Sequence, residues 1–366
     1  MRSRRRDRSI AQSLGTESPN TMLPSPSLPP SSPPPPDTYT TMSWVWWGSL
    51  ALIAILNTIM FLRNMCRTSK KAEYERRAAT NALADPFYGS DDLVGPFHGA
   101  SLRCYERTMR LLAVPYVFET VWRCYWPADY PSRTTFFDTI FNSVLIERCL
   151  AAIGESCFVL QFVVSLRWIS LELAAHAPQW RCTLLLLRAL VVSTFLADCI
   201  SQPASVWGCV TGNQLGFFIE GLFWAYMFGV WCACACVLKL ITCQAMPHTR
   251  TSCGSTAETL LTALTPIGLA VCAYQIVIYV PWCYELWQDD VRHGKTYPTI
   301  AAGAWDALTH RHPTRLWSFW EGQVVWQTLY FALGTQTSIW LMCAPRLETG
   351  RMRPALSAAA LADPLN

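Results

Sequence analysis

The sequence predicts an all-α membrane protein, a polytopic bundle of seven transmembrane helices with the N-terminus outside and the C-terminus cytoplasmic. Three observations predict it. Of the 366 residues 52% are hydrophobic and only 15% charged, whereas soluble domains carry about a quarter charged residues. The apolar residues gather in long blocks that show none of the period-two alternation of a barrel wall. Tryptophans and basic residues stand at the block edges, where amphipathic rings and cations meet lipid headgroups.

Residues 1–42 contain no apolar run. They open with Arg2, Arg4, Arg5, Arg6 and Arg8 and continue through a Pro/Ser/Thr stretch that includes Pro33 to Pro36, the composition of a disordered tail. A secretory signal needs its apolar core close behind the basic residues, and here a long polar stretch intervenes. Met42, directly before the first block, is a second candidate start.

Crossing the hydrocarbon takes about 20 helical residues at a rise of roughly 1.5 Å each. Ser43 to Leu62 is the cleanest block, with no charge. Thr108 to Tyr125 is the most polar, holding Arg110, Pro115, Glu119 and Arg123, and its competing reading is a reentrant or interfacial helix. Phe136 to Trp168 is longer than a crossing requires, so its first residues belong in the interface or the helix tilts. Cys182 to Ile200, Gln214 to Cys243, Leu260 to Tyr284 and Gly322 to Cys343 follow. The domain therefore spans residues 43–343, with a cytoplasmic loop at 64–107, an outer loop at 285–321 and a cytoplasmic tail at 344–366. Trp44, Trp46, Trp47, Trp126, Trp168, Trp180, Trp282, Trp287, Trp317 and Trp320 read as interfacial anchors; Trp224, Trp231 and Trp326 fall mid-block and read as packing or lipid contacts.

Orientation follows from the bias of Lys and Arg toward the cytoplasm. Arg63, Arg67, Lys70, Lys71, Arg76 and Arg77 follow the first block, and no Lys or Arg stands close before it. Seven crossings then put Arg103, Arg107, Arg181, Arg250, Arg346, Arg351 and Arg353 inside and leave Arg133, Arg292, Lys295, Arg311 and Arg315 outside.

Ionisable residues within a crossing are costly, about 2.5–3.5 kcal/mol each at the bilayer centre on insertion scales, so they should face the bundle and mark its working part. The third block concentrates them. Arg148 and Glu155 lie seven positions apart, within about 20° on one helix face, with small Ala151 and Ala152 between them to admit a neighbouring helix. Glu147 points away from that stripe. Candidate partners are Glu119 with Arg123 four residues on, the favourable order for a helical pair, then Asp198, Glu220, Gln323, Gln327 and Gln336. The set reads first as a clamp that fixes helix register and second as an ion or proton pathway through Glu155.

Most of the 16 cysteines lie inside apolar blocks, where cysteine acts as a small hydrophobe. Cys232, Cys234 and Cys236 in WCACACVLK lack the loop spacing and nearby histidine of a zinc site. Cys66 and Cys243, at the cytoplasmic ends of their blocks, are candidate palmitoylation sites. Cys209 and Cys283 fall near the outer face, where an oxidising compartment would permit a bridge. His310 and His312 with nearby aspartates read as an ordinary polar loop, so no metal and no cofactor is expected.

There is no P-loop, no H-E-x-x-H and no G-x-S-x-G, so no catalytic residue is assigned. The net charge of +4 is too small and too dispersed for nucleic-acid binding. The bilayer is the expected partner, with a second membrane protein or a second copy of the chain beside it, in the plasma membrane or an endomembrane. The expected topology resembles that of heptahelical receptors and retinal proteins, without a residue match. SLRWIS stands where a rhodopsin-like receptor has an acidic-Arg-aromatic triplet, and the last block has neither N-P-x-x-Y nor a lysine for a Schiff base. The expected function is receptor-like or scaffolding and non-enzymatic. A proton- or ion-coupled transporter or channel and a membrane-embedded lipid-modifying enzyme are the competing readings.

Overall fold

A computed structural model describes residues 37–84, 96–245 and 256–343. The described chain is all-α, with ten helices in order: α1 (Asp37–Ala84), α2 (Pro96–Tyr125), α3 (Val144–His176), α4 (Arg181–Thr211), α5 (Gln214–Ala245), α6 (Thr256–Tyr274), α7 (Val280–Arg292), α8 (Ile300–Thr309), α9 (Trp317–Leu329) and α10 (Thr335–Leu341). A π-helical turn, Gln275–Tyr279, joins α6 to α7, and a second, Tyr330–Gly334, joins α9 to α10, so each pair forms one continuous rod.

Five helical segments are long and apolar enough to cross a membrane: Thr40–Cys66, Val144–Ala174, Pro178–Thr211, Gln214–Ala245 and Ala257–Arg292. They correspond to the first and third to sixth apolar blocks. The second and seventh blocks are also helical, but α2 carries Glu106, Arg107, Arg110, Glu119 and Arg123, and the last rod carries Gln323, Gln327 and Gln336. Neither is apolar enough over a full crossing length to stand with the other five.

Several boundaries differ from those read in the sequence. Asp37–Met42, assigned to the tail, are helical and open α1; the rest of the tail, residues 1–36, lies outside the described residues, as does the tail at 344–366. The loop expected at 64–107 is taken up largely by the ends of α1 and α2, with residues 85–95 outside the described residues. The third block starts later than expected, because residues 136–143 form a loop with a short 3-10 turn at Ile140–Asn142 before α3 begins. The outer loop at 285–321 holds most of α7 and all of α8.

The core of the bundle is the row α2–α3–α4–α5–α6, each helix packed on the next. Small residues set the closest approaches. A Cβ on Gly154 of α3 would come within 2.8 Å of Glu119 Cβ on α2, and one on Gly216 of α5 would lie 2.7 Å from Gly208 Cα on α4. At neither crossing is there room for a side chain. The α4–α5 hairpin turns on Gly212, whose left-handed φ of 72° ends α4, while the Asn213 side chain accepts from Leu215 N (3.0 Å). The last rod closes the row by packing α10 on α2 and α3. α1 reaches it through polar contacts. Asn57 donates to the Phe331 carbonyl within the π turn (3.0 Å) and accepts from Gln336 (2.7 Å), and Trp46 donates to Thr328 (3.3 Å).

A cap covers the end of the bundle where α2 finishes and α3 starts. Ala128–Asp129 pairs antiparallel with Thr134–Thr135, which pairs parallel with His312–Pro313. Arg133, at a left-handed φ of 54°, donates to the Cys209 carbonyl at the end of α4 (3.0 Å) and pairs with Asp306 of α8. Asn142 accepts from Phe137 N (3.2 Å) and donates to the Pro127 carbonyl (3.1 Å), and Ser143 donates to the Ala307 carbonyl (3.0 Å). The cap thereby satisfies backbone groups that would otherwise be unpaired between helix ends.

Candidate functional site

The ionisable residues singled out in the sequence converge on one place, one to three helical turns beneath the cap. α2 contributes Glu119 and Arg123, α3 contributes Glu147, Arg148 and Glu155, α4 contributes Asp198 and α5 contributes Glu220, and all seven are buried. Arg123 is held by three carboxylates: its Nη1 donates to Glu119 (2.8 Å) and Glu155 (3.5 Å) and its Nε to Glu147 (3.1 Å). Arg148 faces Glu155 (3.2 Å) on its own helix and Glu220 (3.0 Å) across on α5. Glu155 is therefore the hinge of the network, with one oxygen turned to each guanidinium.

Glu147 reaches α2 and pairs with Arg123. Asp198 touches neither arginine. It accepts from Ser156 (2.6 Å) and from Gln202 (3.0 Å), and Gln202 also donates to Glu155 (3.1 Å) and accepts from Arg148. Glu220 accepts in addition from Ser205 (2.7 Å).

Several members were not singled out in the sequence. Gln202 sits four residues after Asp198 on the same face of α4, a spacing that could have found it. Tyr130 of the cap lies over both guanidiniums, 5.1 Å from Arg123 and 5.4 Å from Arg148, and donates to Glu147 (3.4 Å). Tyr330, in the second π turn, donates to Glu155 (3.1 Å) and stands 5.4 Å from Arg123. In the cap, Asp129 accepts from Ser132 N (3.2 Å) and Gln323 (3.0 Å), and burial pushes its carboxyl above the usual range against the Ser132 hydrogen bonds, which lower it.

The network forms part of the wall of a cavity of about 720 Å³. Its polar end is made by Arg123, Arg148, Glu155, Glu220, Gln275 and Gln327 under Asp129 and Tyr130 of the cap. Its other end is apolar, among Phe162, Trp231, Leu264 and Trp340. The positions from Gln323 to Trp340 run the length of the last rod, roughly 25 Å at about 1.5 Å per residue. Lining residues at mid-helix positions are exposed on the outside of the bundle, including Ile267 (42%), Ile278 (56%), Val325 (67%), Leu329 (50%) and Leu333 (52%). The cavity thus opens sideways, between the α6–α7 rod and the last rod. Both π turns line it, through Gln275 and Tyr279 on one side and Tyr330 and Gly334 on the other. Such turns re-aim side chains and recur at functional sites.

An aromatic series crosses the opening. Tyr274 stacks on Trp326 (5.0 Å between centroids), and Trp326 stacks on Tyr330 (5.6 Å), whose hydroxyl reaches Glu155. Trp326 thus packs against its neighbours, one of the two roles expected of it. Trp231 does pack as expected, stacking on Phe162 (4.3 Å) and donating to Thr194 (3.1 Å).

The cysteines are placed as follows. Cys66 is exposed on α1 and Cys243 half-buried near the end of α5; Cys209 and Cys283 are buried free thiols in one small apolar cluster with Val144 and Phe217. Among the described residues no group of three or more His, Cys, Asp or Glu side chains is arranged to hold a metal ion. No protein-family model, curated protein or solved structure matches the chain.

Proposed function

We propose that the protein is a receptor-like, non-enzymatic binding protein of seven membrane crossings, which takes an amphiphilic ligand from the bilayer into the sideways-opening cavity. One observation carries this reading: a single cavity has charged and amide groups at one end, aromatic and aliphatic groups at the other, and an apolar rim at mid-helix. A water-soluble ligand would need an opening at the helix ends, and the cap covers the polar end. An amphiphile entering sideways keeps its tail in apolar surroundings throughout and exposes only its head to the buried network.

In this reading α2 and the last rod cross as well. α2 has 30 residues, about 45 Å of helix at 1.5 Å per residue, and the two charges of its second half, Glu119 and Arg123, are buried in the bundle, where they pair. The N-terminus is outside, which puts the cap on the outer face and Cys66 and Cys243 at the inner surface, where acylation would act on them. A reporter tag before Ser43 is expected to be accessible on intact cells and one after Arg353 only after permeabilisation. Both tags accessible from one side would mean an even number of crossings, with α2 the first segment to reassign.

The cavity itself is tested by photolabelling. A long-chain probe with a diazirine in its tail should label the α6–α7 rod and the last rod. Ala263→Trp, which places an indole in the cavity wall, should remove that labelling without changing expression. Labelling that persists undiminished in the variant would assign the probe to the outer lipid-facing surface and overturn the reading.

A further inference from the structure

We propose that the head recognised at the polar end of the cavity is a protonated amine, a cation that also donates hydrogen bonds. The inference rests on the reading of the cavity as an amphiphile site and adds the chemistry of its ligand.

The polar end is rich in acceptors that lack donors. Gln275 and Gln327 both line the cavity, both residues are more than nine-tenths buried, and the Oε1 atom of each is buried without a hydrogen-bond partner. The orientation of Gln327 is set independently, because its nitrogen donates to the Ala128 carbonyl (3.4 Å) and leaves the oxygen as the free atom. A buried acceptor without a donor is unfavourable, and a ligand N–H that reaches either oxygen would remove that penalty.

Charge points the same way. The network joins five carboxyl groups, on Glu119, Glu147, Glu155, Asp198 and Glu220, to two guanidiniums, and Glu155 and Glu220 stand in the cavity wall. Both guanidiniums are already engaged by carboxylates, and Tyr130 covers both. Arg148 Nε has no partner, but an anion approaching it would meet the carboxylates of Glu155 and Glu220 on the same guanidinium. A cation meets those carboxylates favourably, and the rings of Trp224, Tyr274, Trp326 and Tyr330 in the wall offer it π faces.

The test uses the full chain purified in an uncharged detergent and probes that share a twelve-carbon tail: dodecylamine, dodecyltrimethylammonium, dodecyl phosphate and dodecanol. Thermal unfolding is followed as each is titrated. Dodecylamine should raise the unfolding temperature saturably, with an apparent affinity at least roughly tenfold above that of the trimethylammonium, which cannot donate, and of the phosphate. Gln275→Leu should weaken the amine by about tenfold, and Gln275→Glu, which adds a carboxylate at the same place, should strengthen it. Preference for the phosphate, or equal affinity for all four heads, would overturn the amine assignment while leaving the cavity reading in place. Stabilisation by none of the four would remove both. An unchanged amine affinity in both Gln275 variants would also overturn the assignment.

Discussion

Arg123→Leu is expected to give the largest loss of folded protein of any single substitution in the network. Its guanidinium serves Glu119, Glu147 and Glu155 at once, and among the described residues Glu119 and Glu147 have no second basic partner within 4 Å. Removing one member of a buried pair costs about 3–5 kcal/mol because the other charge is stranded, and here two carboxylates are stranded together. The cost should therefore reach at least the upper part of that range, read as the folded fraction on size exclusion and as thermal unfolding in detergent. The pattern of rescue is equally specific. Glu119→Gln or Glu147→Gln alone should restore part of the stability of the Arg123→Leu protein, and the two together more than either. If the single variant unfolds at the parent's temperature, the arginine is solvated rather than buried among three acids.

Arg148→Leu is expected to be the second most damaging change, again about 3–5 kcal/mol, with a different rescue. Its acidic partners are Glu155 and Glu220. Glu155 keeps Arg123 when Arg148 is lost, so Glu220 is the carboxylate left without a guanidinium. Glu220→Gln should recover a substantial part of the lost stability, whereas Asp198→Asn should not, because Asp198 is held by Ser156 and Gln202 instead. Unfolding temperatures of the two double variants decide between them. Rescue by Asp198→Asn as strong as by Glu220→Gln would contradict the pairing, and a stable Arg148→Leu protein with no coupling to any acid would end the clamp interpretation altogether.

These outcomes bear on function as well as on stability. A clamp needs only that charges pair, so a well-packed apolar substitute for a whole pair would hold the bundle together. A binding site needs particular atoms in the cavity wall. Glu155 and Glu220 belong to both the clamp and the wall, whereas Gln275 belongs to the wall alone, and for that reason the Gln275 variants separate ligand recognition from helix packing.

Much of the architecture was legible in the sequence. Each apolar block is largely helical, and five of the seven contain a segment long and apolar enough to cross a membrane, because the transfer free energy of a helix into lipid is close to a sum over its own residues and needs no knowledge of neighbours. Block ends were less legible where local chemistry competed with hydropathy. Phe136 and Phe137 are as apolar as a helix interior, yet they pack with Trp44 and Trp320 beneath the cap instead of continuing α3. The seven candidate charges were found for a related reason: a costly residue in an apolar block is conspicuous whatever it touches.

What they touch was decided only in three dimensions. The face shared by Arg148 and Glu155 follows from helical spacing alone, but the pairing of Glu147 with Arg123, of Glu220 with Arg148 and of Asp198 with a glutamine depends on how α2, α4 and α5 are rotated against α3. Those rotations are fixed by close approaches at Gly154, Gly208 and Gly216 and by the cap that ties the helix ends, and contacts of this kind join residues far apart in the chain. The cavity is further still from the sequence. It arises where the α6–α7 rod and the last rod each depart from α-helical geometry at a π turn, and neither turn is marked by a proline or glycine at its start. Solvation of a segment is a local property that one chain window can report, whereas the partner of a buried charge and the space beside it are properties of several segments packed together.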